Sequence, residues 1–111
     1  MVDTQLFEAT QRLREWCHAK PFVRRLWLFG SRLRGTDRDD SDLDVALEID
    51  PLPKDEHVLT SWISESSAWE TELRAFVPYQ VDLQLYDLDD ARSVVVGYVK
   101  CCSMLLYARA A

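Results

Sequence analysis

Little in this sequence calls for cross-links, a membrane or a nucleic acid. Only three of the 111 residues are cysteine, and Cys101 and Cys102 are adjacent and poorly placed to pair with each other while Cys17 stands alone. A secreted disulfide framework is thereby excluded. No apolar run approaches the roughly 18 to 20 residues that a membrane span requires. The opening stretch, Met1 to Glu8, lacks the basic segment followed by an apolar core that marks a leader. Basic residues are in deficit: 13 Lys and Arg against 19 Asp and Glu give a formal charge of −6. Such a surface is repelled by phosphate backbones, which disfavours broad nucleic-acid binding. The chain is expected to be cytoplasmic, with no membrane and no direct nucleic-acid partner. No internal repeat, low-complexity tract or linker interrupts it, so residues 1–111 are expected to form a single domain with no room for a second, substrate-binding one.

What is present is a chain 48% hydrophobic and 29% charged, able to build a core without staples. Leu6, Leu13, Trp16 and Cys17 recur at helical spacing, with Asp3 or Thr4 available as N-cap and Pro21 just past the end, predicting a helix over 3–19. Residues 22–29 form a short, nearly continuous apolar run that stops at Gly30, as a centrally placed strand buried on both faces would. Residues 42–49 alternate strictly: Asp42, Asp44, Ala46 and Glu48 fall on one side, Leu43, Val45, Leu47 and Ile49 on the other. Pro51 and Pro53 break that strand. A helix is predicted from about Lys54 to Phe76, with Val58, Trp62, Ile63, Trp69, Leu73 and Phe76 as its apolar stripe and Pro78 closing it. Residues 81–86 alternate again, opposing Val81, Leu83 and Leu85 to Asp82, Gln84 and Tyr86. After Asp89, a candidate N-cap, a last helix is predicted over 90–102 and a short strand over 104–107. Strands separated by helices imply a small α/β (α+β) domain, a mixed sheet with helices packed on it.

The chemistry concentrates in Gly30-Ser31-Arg32-Leu33-Arg34-Gly35 and in Asp42-Leu43-Asp44. Two carboxylates two residues apart on a strand share a face and lie roughly 6.6 Å apart along it, within reach of one hard cation or a bridged pair. Mg²⁺ suits them, since it prefers oxygen ligands and commonly pairs one or two carboxylates with substrate phosphates. The plainer reading is that Asp42 and Asp44 simply face water. Asp82, on the polar side of another strand, tips the balance: if that strand pairs with residues 42–49, three carboxylates converge. Upstream, a strand ending in Gly30 and Ser31 allows a sharp turn whose free amides and hydroxyl face an anion, with Arg32 or Arg34 adding positive charge. An ordinary capped turn is the alternative.

Gly30-Ser31, ten intervening residues and Asp42-x-Asp44 resemble the signature of the polymerase-β-like nucleotidyltransferases, and Asp82 resembles their third, later aspartate. The fuller string, from Gly30-Ser31-Arg32-Leu33-Arg34-Gly35 to Ser41-Asp42-Leu43-Asp44, is similar to the minimal nucleotidyltransferase (MNT) antitoxins of bacteria and archaea. Residues 22–86 carry the resemblance; the first helix and the tail fit by length. Leu33 stands where many of these proteins have a small residue and Val45 where many have Leu, both apolar changes. The resemblance implies the polymerase-β-like fold, ATP as co-substrate held by Gly30, Ser31, Arg32 and Arg34, and Mg²⁺ on Asp42, Asp44 and Asp82. It implies a partner as well: a HEPN-domain toxin ribonuclease, neutralised in a type VII-like toxin–antitoxin pair by transfer of AMP to a toxin tyrosine hydroxyl. Asp82 is then the candidate general base.

Two other function classes stay open. One is an antitoxin that blocks its toxin sterically without turnover; the other is a nucleotidyltransferase subunit acting on a small molecule beside a separate helical subunit. Trp62 and Trp69, seven residues apart, are candidates for a docking face or for core anchors. His18 and His57 lie far from each other and from any cysteine pair, arguing against zinc. Ser31 lacks the frame of a hydrolase nucleophile. Asp37, Asp39 and Asp40 are expected to be dispensable loop charges.

Overall fold

The computed structural model of the chain describes residues 4–29, 43–77, 79–87 and 94–110. Helix α1 spans Thr4–His18, strand β1 Val23–Phe29, β2 Leu43–Ile49, helix α2 Val58–Phe76, β3 Val81–Leu85, α3 Val94–Cys102 and β4 Ser103–Ala108. The strands form one sheet in the order β3-β2-β1-β4, with β1 antiparallel to both β2 and β4 and β2 parallel to β3. Parallel neighbours need a crossover connection, and α2 supplies it.

The period-2 pattern of the strands sorts their side chains between two cores. Leu26, Leu28, Leu43, Val45, Leu47, Ile49, Val81 and Leu83 line one face and are buried under α1 and α2. Helix α1 contributes Ala9, Leu13, Trp16 and Cys17, one stripe at helical spacing. The other face carries a smaller cluster of Trp27, Phe29, Ala46, Tyr86 and Val99, against which Val95 and Val96 of α3 pack. Trp27 and Tyr86 meet there with ring centroids 4.4 Å apart. β1 is therefore central and buried on both sides over Leu26 to Phe29, as its apolar run predicts. The face of β2 expected to be polar is covered too: Ala46 is fully buried and Glu48 is nearly so, paired with Arg25 at 2.9 Å.

Helix α2 begins four residues later than the pattern predicts, because the preceding segment is folded as a turn tied to Ser61. The Asp55 amide donates to the Leu52 carbonyl at 2.8 Å. The Leu52 amide donates to Ser61 Oγ at 2.9 Å, and that hydroxyl donates to Asp55 Oδ2 at 2.7 Å. The helix stops where Val77 turns extended. Its predicted stripe is only partly right. Trp69 and Leu73 are buried, and Val58 and Trp62 pack on the core, but Ile63 is 72% exposed and Phe76 37% exposed. Ser61, polar and fully buried, takes a place on the inner face instead. Trp69 stacks on Phe22 at 4.8 Å and meets Trp62 edge-on at 6.1 Å, so this tryptophan pair anchors the core and the docking-face alternative is set aside for it. The candidate caps Asp3 and Asp89 and the helix stop at Pro78 lie outside the described residues.

Candidate functional site

One row of residues crosses the sheet at the end where β1 stops. Asp82 on β3 is in register with Asp44 on β2, Asp44 with Phe29 on β1, and Phe29 with Ser103 on β4. All alternate onto the face that α3 packs against further along. The strands of a parallel pair lie about 4.8 Å apart, so the two half-buried carboxylates are immediate neighbours. The next row holds Gln84 beside Ala46 and Trp27. Gln84 Nε2 reaches back along β3 and donates to Asp82 Oδ1 at 2.8 Å. One oxygen of Asp82 is thereby oriented by a neutral donor.

The outer side of β3 is equally well defined. It is an edge strand, and two of its outward-pointing backbone groups meet side chains of α2. Glu70 Oε2 accepts a hydrogen bond from the Leu83 amide at 3.1 Å, and Arg74 Nε donates to the Val81 carbonyl at 3.2 Å. The two side chains, one helical turn apart, also pair with each other at 3.2 Å.

Of the residues singled out from the sequence, the structure brings Asp44 and Asp82 together on neighbouring strands, the pairing on which convergence depended. Asp42, Gly30, Ser31, Arg32 and Arg34, and the loop charges Asp37, Asp39 and Asp40, lie outside the described residues. Among the described residues no three His, Cys, Asp or Glu side chains cluster as a metal site. The pair of carboxylates present suits a hard, oxygen-preferring cation such as Mg²⁺, which needs only one or two such ligands beside phosphate oxygens and water. Among the described residues, a cavity of about 300 Å³ lined by Arg24, Arg25, Arg109 and Ala110 and another of similar volume lined by Glu8, Gln11, Arg12 and Glu15 lie elsewhere. Gln84, Glu70 and Arg74 escaped sequence reasoning. Gln84 sits two residues from Asp82 on a strand, which was a readable signal. The Glu70-to-Arg74 spacing was readable as a helical ion pair, but nothing in it told of β3.

Among curated proteins none matches the chain. Solved structures do. A toxin–antitoxin structure with AMP-PNP is similar at 22% identity and a TM-score of 0.57, over 90% of this chain and 73% of that one. A protein of Sulfolobus solfataricus assigned as a nucleotidyltransferase is similar at 21% identity and a TM-score of 0.56, over 96% and 82%. A complex of tri-AMPylated Shewanella oneidensis HEPN toxin with MNT antitoxin is similar at 20% identity and a TM-score of 0.58, over 95% and 73%. These likenesses show the fold, a mixed four-stranded sheet of the polymerase-β-like nucleotidyltransferase kind. Residues 11–110, which include β1, Asp44, Asp82 and the whole sheet, match the family described as "Polymerase beta, Nucleotidyltransferase", and the chain belongs to that family.

Proposed function

We propose that this chain, acting as a single domain, is the antitoxin of a toxin–antitoxin pair and neutralises a HEPN-domain ribonuclease by transferring AMP from ATP to a tyrosine hydroxyl. The observation that carries the reading is the register of Asp44 with Asp82 on parallel neighbours β2 and β3, in a chain of the nucleotidyltransferase family. Carboxylates on neighbouring strands that share one half-buried face can both reach a single hard cation, and a site for a metal and a triphosphate supplies a reason for the pairing. The similar toxin–antitoxin structures, one with AMP-PNP and one with an AMPylated HEPN toxin, support the partner and the nucleotide.

Asp42, Asp44 and Asp82 would hold Mg²⁺, which when bound neutralises triphosphate charge and makes the acceptor hydroxyl easier to ionise. The chain's own residues carry the rest. Asp82 accepts the proton of the tyrosine hydroxyl while its Oδ1 stays tied to Gln84. The phenolate oxygen bonds to the α-phosphorus, the bond from that phosphorus to the bridging oxygen breaks, and pyrophosphate leaves. Gly30 and Ser31 present amides and a hydroxyl to the β- and γ-phosphates, with Arg32 or Arg34 offsetting charge.

The test is incubation of the purified chain with ATP labelled at the α-phosphate, MgCl₂ and a HEPN-domain toxin as acceptor. Label on the HEPN protein with the wild type, and none with Asp82→Ala of unchanged circular dichroism, is the expected result. Tight association without label would instead identify a steric antitoxin, and the absence of both label and association would overturn both readings.

A further inference from the structure

We infer that Glu70 and Arg74 are positioning residues for Asp82: helix α2 gives edge strand β3 the hydrogen-bond partners of a missing fifth strand, at the two residues that bracket the carboxylate. The inference rests on the reading of Asp82 given above and adds what holds it in place.

Alternate residues of a strand direct their backbone groups to opposite edges. In β3 the even-numbered ones face β2, as the Gln80 carbonyl accepting from the Leu43 amide at 2.8 Å and the Tyr86 amide donating to the Leu47 carbonyl at 2.9 Å demonstrate. Val81 and Leu83 consequently face outward, where an edge strand ordinarily meets only water. Here the Val81 carbonyl takes the Arg74 guanidinium and the Leu83 amide takes the Glu70 carboxylate. The Val81 carbonyl belongs to the peptide plane before the Asp82 Cα, and the Leu83 amide to the plane after it. Each plane is rigid, so gripping both determines φ and ψ of Asp82 and hence the direction of its Cα–Cβ bond. The Glu70–Arg74 ion pair at 3.2 Å closes the grip, each side chain using one atom for its neighbour and another for the strand. Gln84 then sets the remaining side-chain freedom through Oδ1.

The location matters because Asp82 is second in a five-residue strand, close to the end from which an edge strand frays. An ion pair of similar make-up, Glu72 of α2 with Lys20 at 3.0 Å, joins the helix to the segment that follows α1. It is the natural control, equal in charge chemistry and distinct in what it touches.

The experiment compares wild type, Asp82→Asn, Glu70→Ala/Arg74→Ala, Glu70→Gln and Glu72→Ala. It is run at a temperature where circular dichroism reports every variant folded. Mn²⁺ binding is measured alone by electron paramagnetic resonance, and AMP transfer is measured with the HEPN protein as acceptor. A displacement near 1 Å at a reacting group can cost up to about a hundredfold. The double variant is expected to weaken Mn²⁺ binding and lower kcat, each by about tenfold, with KM for ATP changed less than about twofold. Glu70→Gln, which keeps an oxygen for the Leu83 amide, restores most of both, and Glu72→Ala matches wild type. Should the double variant not fold, Glu70→Ala and Arg74→Ala singly make the same comparison. Mn²⁺ affinity that falls with Asp82→Asn but is untouched in the clamp variants overturns the positioning role alone. Affinity unmoved by Asp82→Asn overturns the site reading and this inference with it.

Discussion

Replacing Asp82 by Asn should make the metal-free protein more stable while removing its response to Mg²⁺. Asp82 and Asp44 are register partners on strands about 4.8 Å apart, which sets their carboxylates roughly 6 Å from each other. At an effective dielectric of about 20 two such charges repel by about 3 kcal/mol. Both side chains are half-exposed, and solvent and salt reduce that to about 1 kcal/mol. Asn keeps the shape and an Oδ1 that still accepts from Gln84, so relief of repulsion is the main change. In EDTA the variant should melt about 4 °C above wild type. Adding Mg²⁺ to about ten times its dissociation constant should stabilise wild type by about 1.4 kcal/mol and leave the variant unmoved. Thermal denaturation followed by circular dichroism, with and without Mg²⁺, reads both effects. A variant less stable than wild type in EDTA, with Mg²⁺ raising the two melting temperatures equally, would refute the charge argument.

Three further outcomes test the packing. Burial pushes the Cys17 thiol up from 9.0 to about 12, so between those pH values the unfolded chain has lost a proton that the native chain keeps. Stability should therefore be intact below pH 9 and fall by about 1.4 kcal/mol per pH unit above it; Cys17→Ala should show a shallower alkaline decline in urea midpoints, and equal slopes would refute the assignment. Ser61→Ala strips a partner from both the Leu52 amide and Asp55, and should cost about 2 kcal/mol in urea unfolding. Trp69→Ala should cost about 3–5 kcal/mol, whereas Ile63→Ser, at an exposed position of the same helix, should change stability by less than about 0.5 kcal/mol.

Much of this protein was legible without coordinates, and the legible part has one physical character. Side-chain alternation and helical spacing are properties of neighbouring residues, so the central run ending at Phe29, the strict alternation from Leu43 to Ile49 and the stripe of Leu13, Trp16 and Cys17 announced their own conformations. Local pattern failed where a distant group competed. The start of α2 moved because Ser61 ties down Asp55 and Leu52, and Ile63 and Phe76 are exposed while polar Ser61 joins Trp69 and Leu73 as the buried residues of the helix.

The sequence by itself determined the elements, the acidic surface and which carboxylates were worth pairing, because chain periodicity and residue chemistry are written locally. Only the tertiary structure decided that β3 lies parallel beside β2 with Asp82 opposite Asp44, that Gln84 turns back to hold it, and that Glu70 and Arg74 stand in for a missing strand. Strand order and edge contacts join residues far apart along the chain. Their energies depend on which surfaces meet, and no spacing of residue types records that.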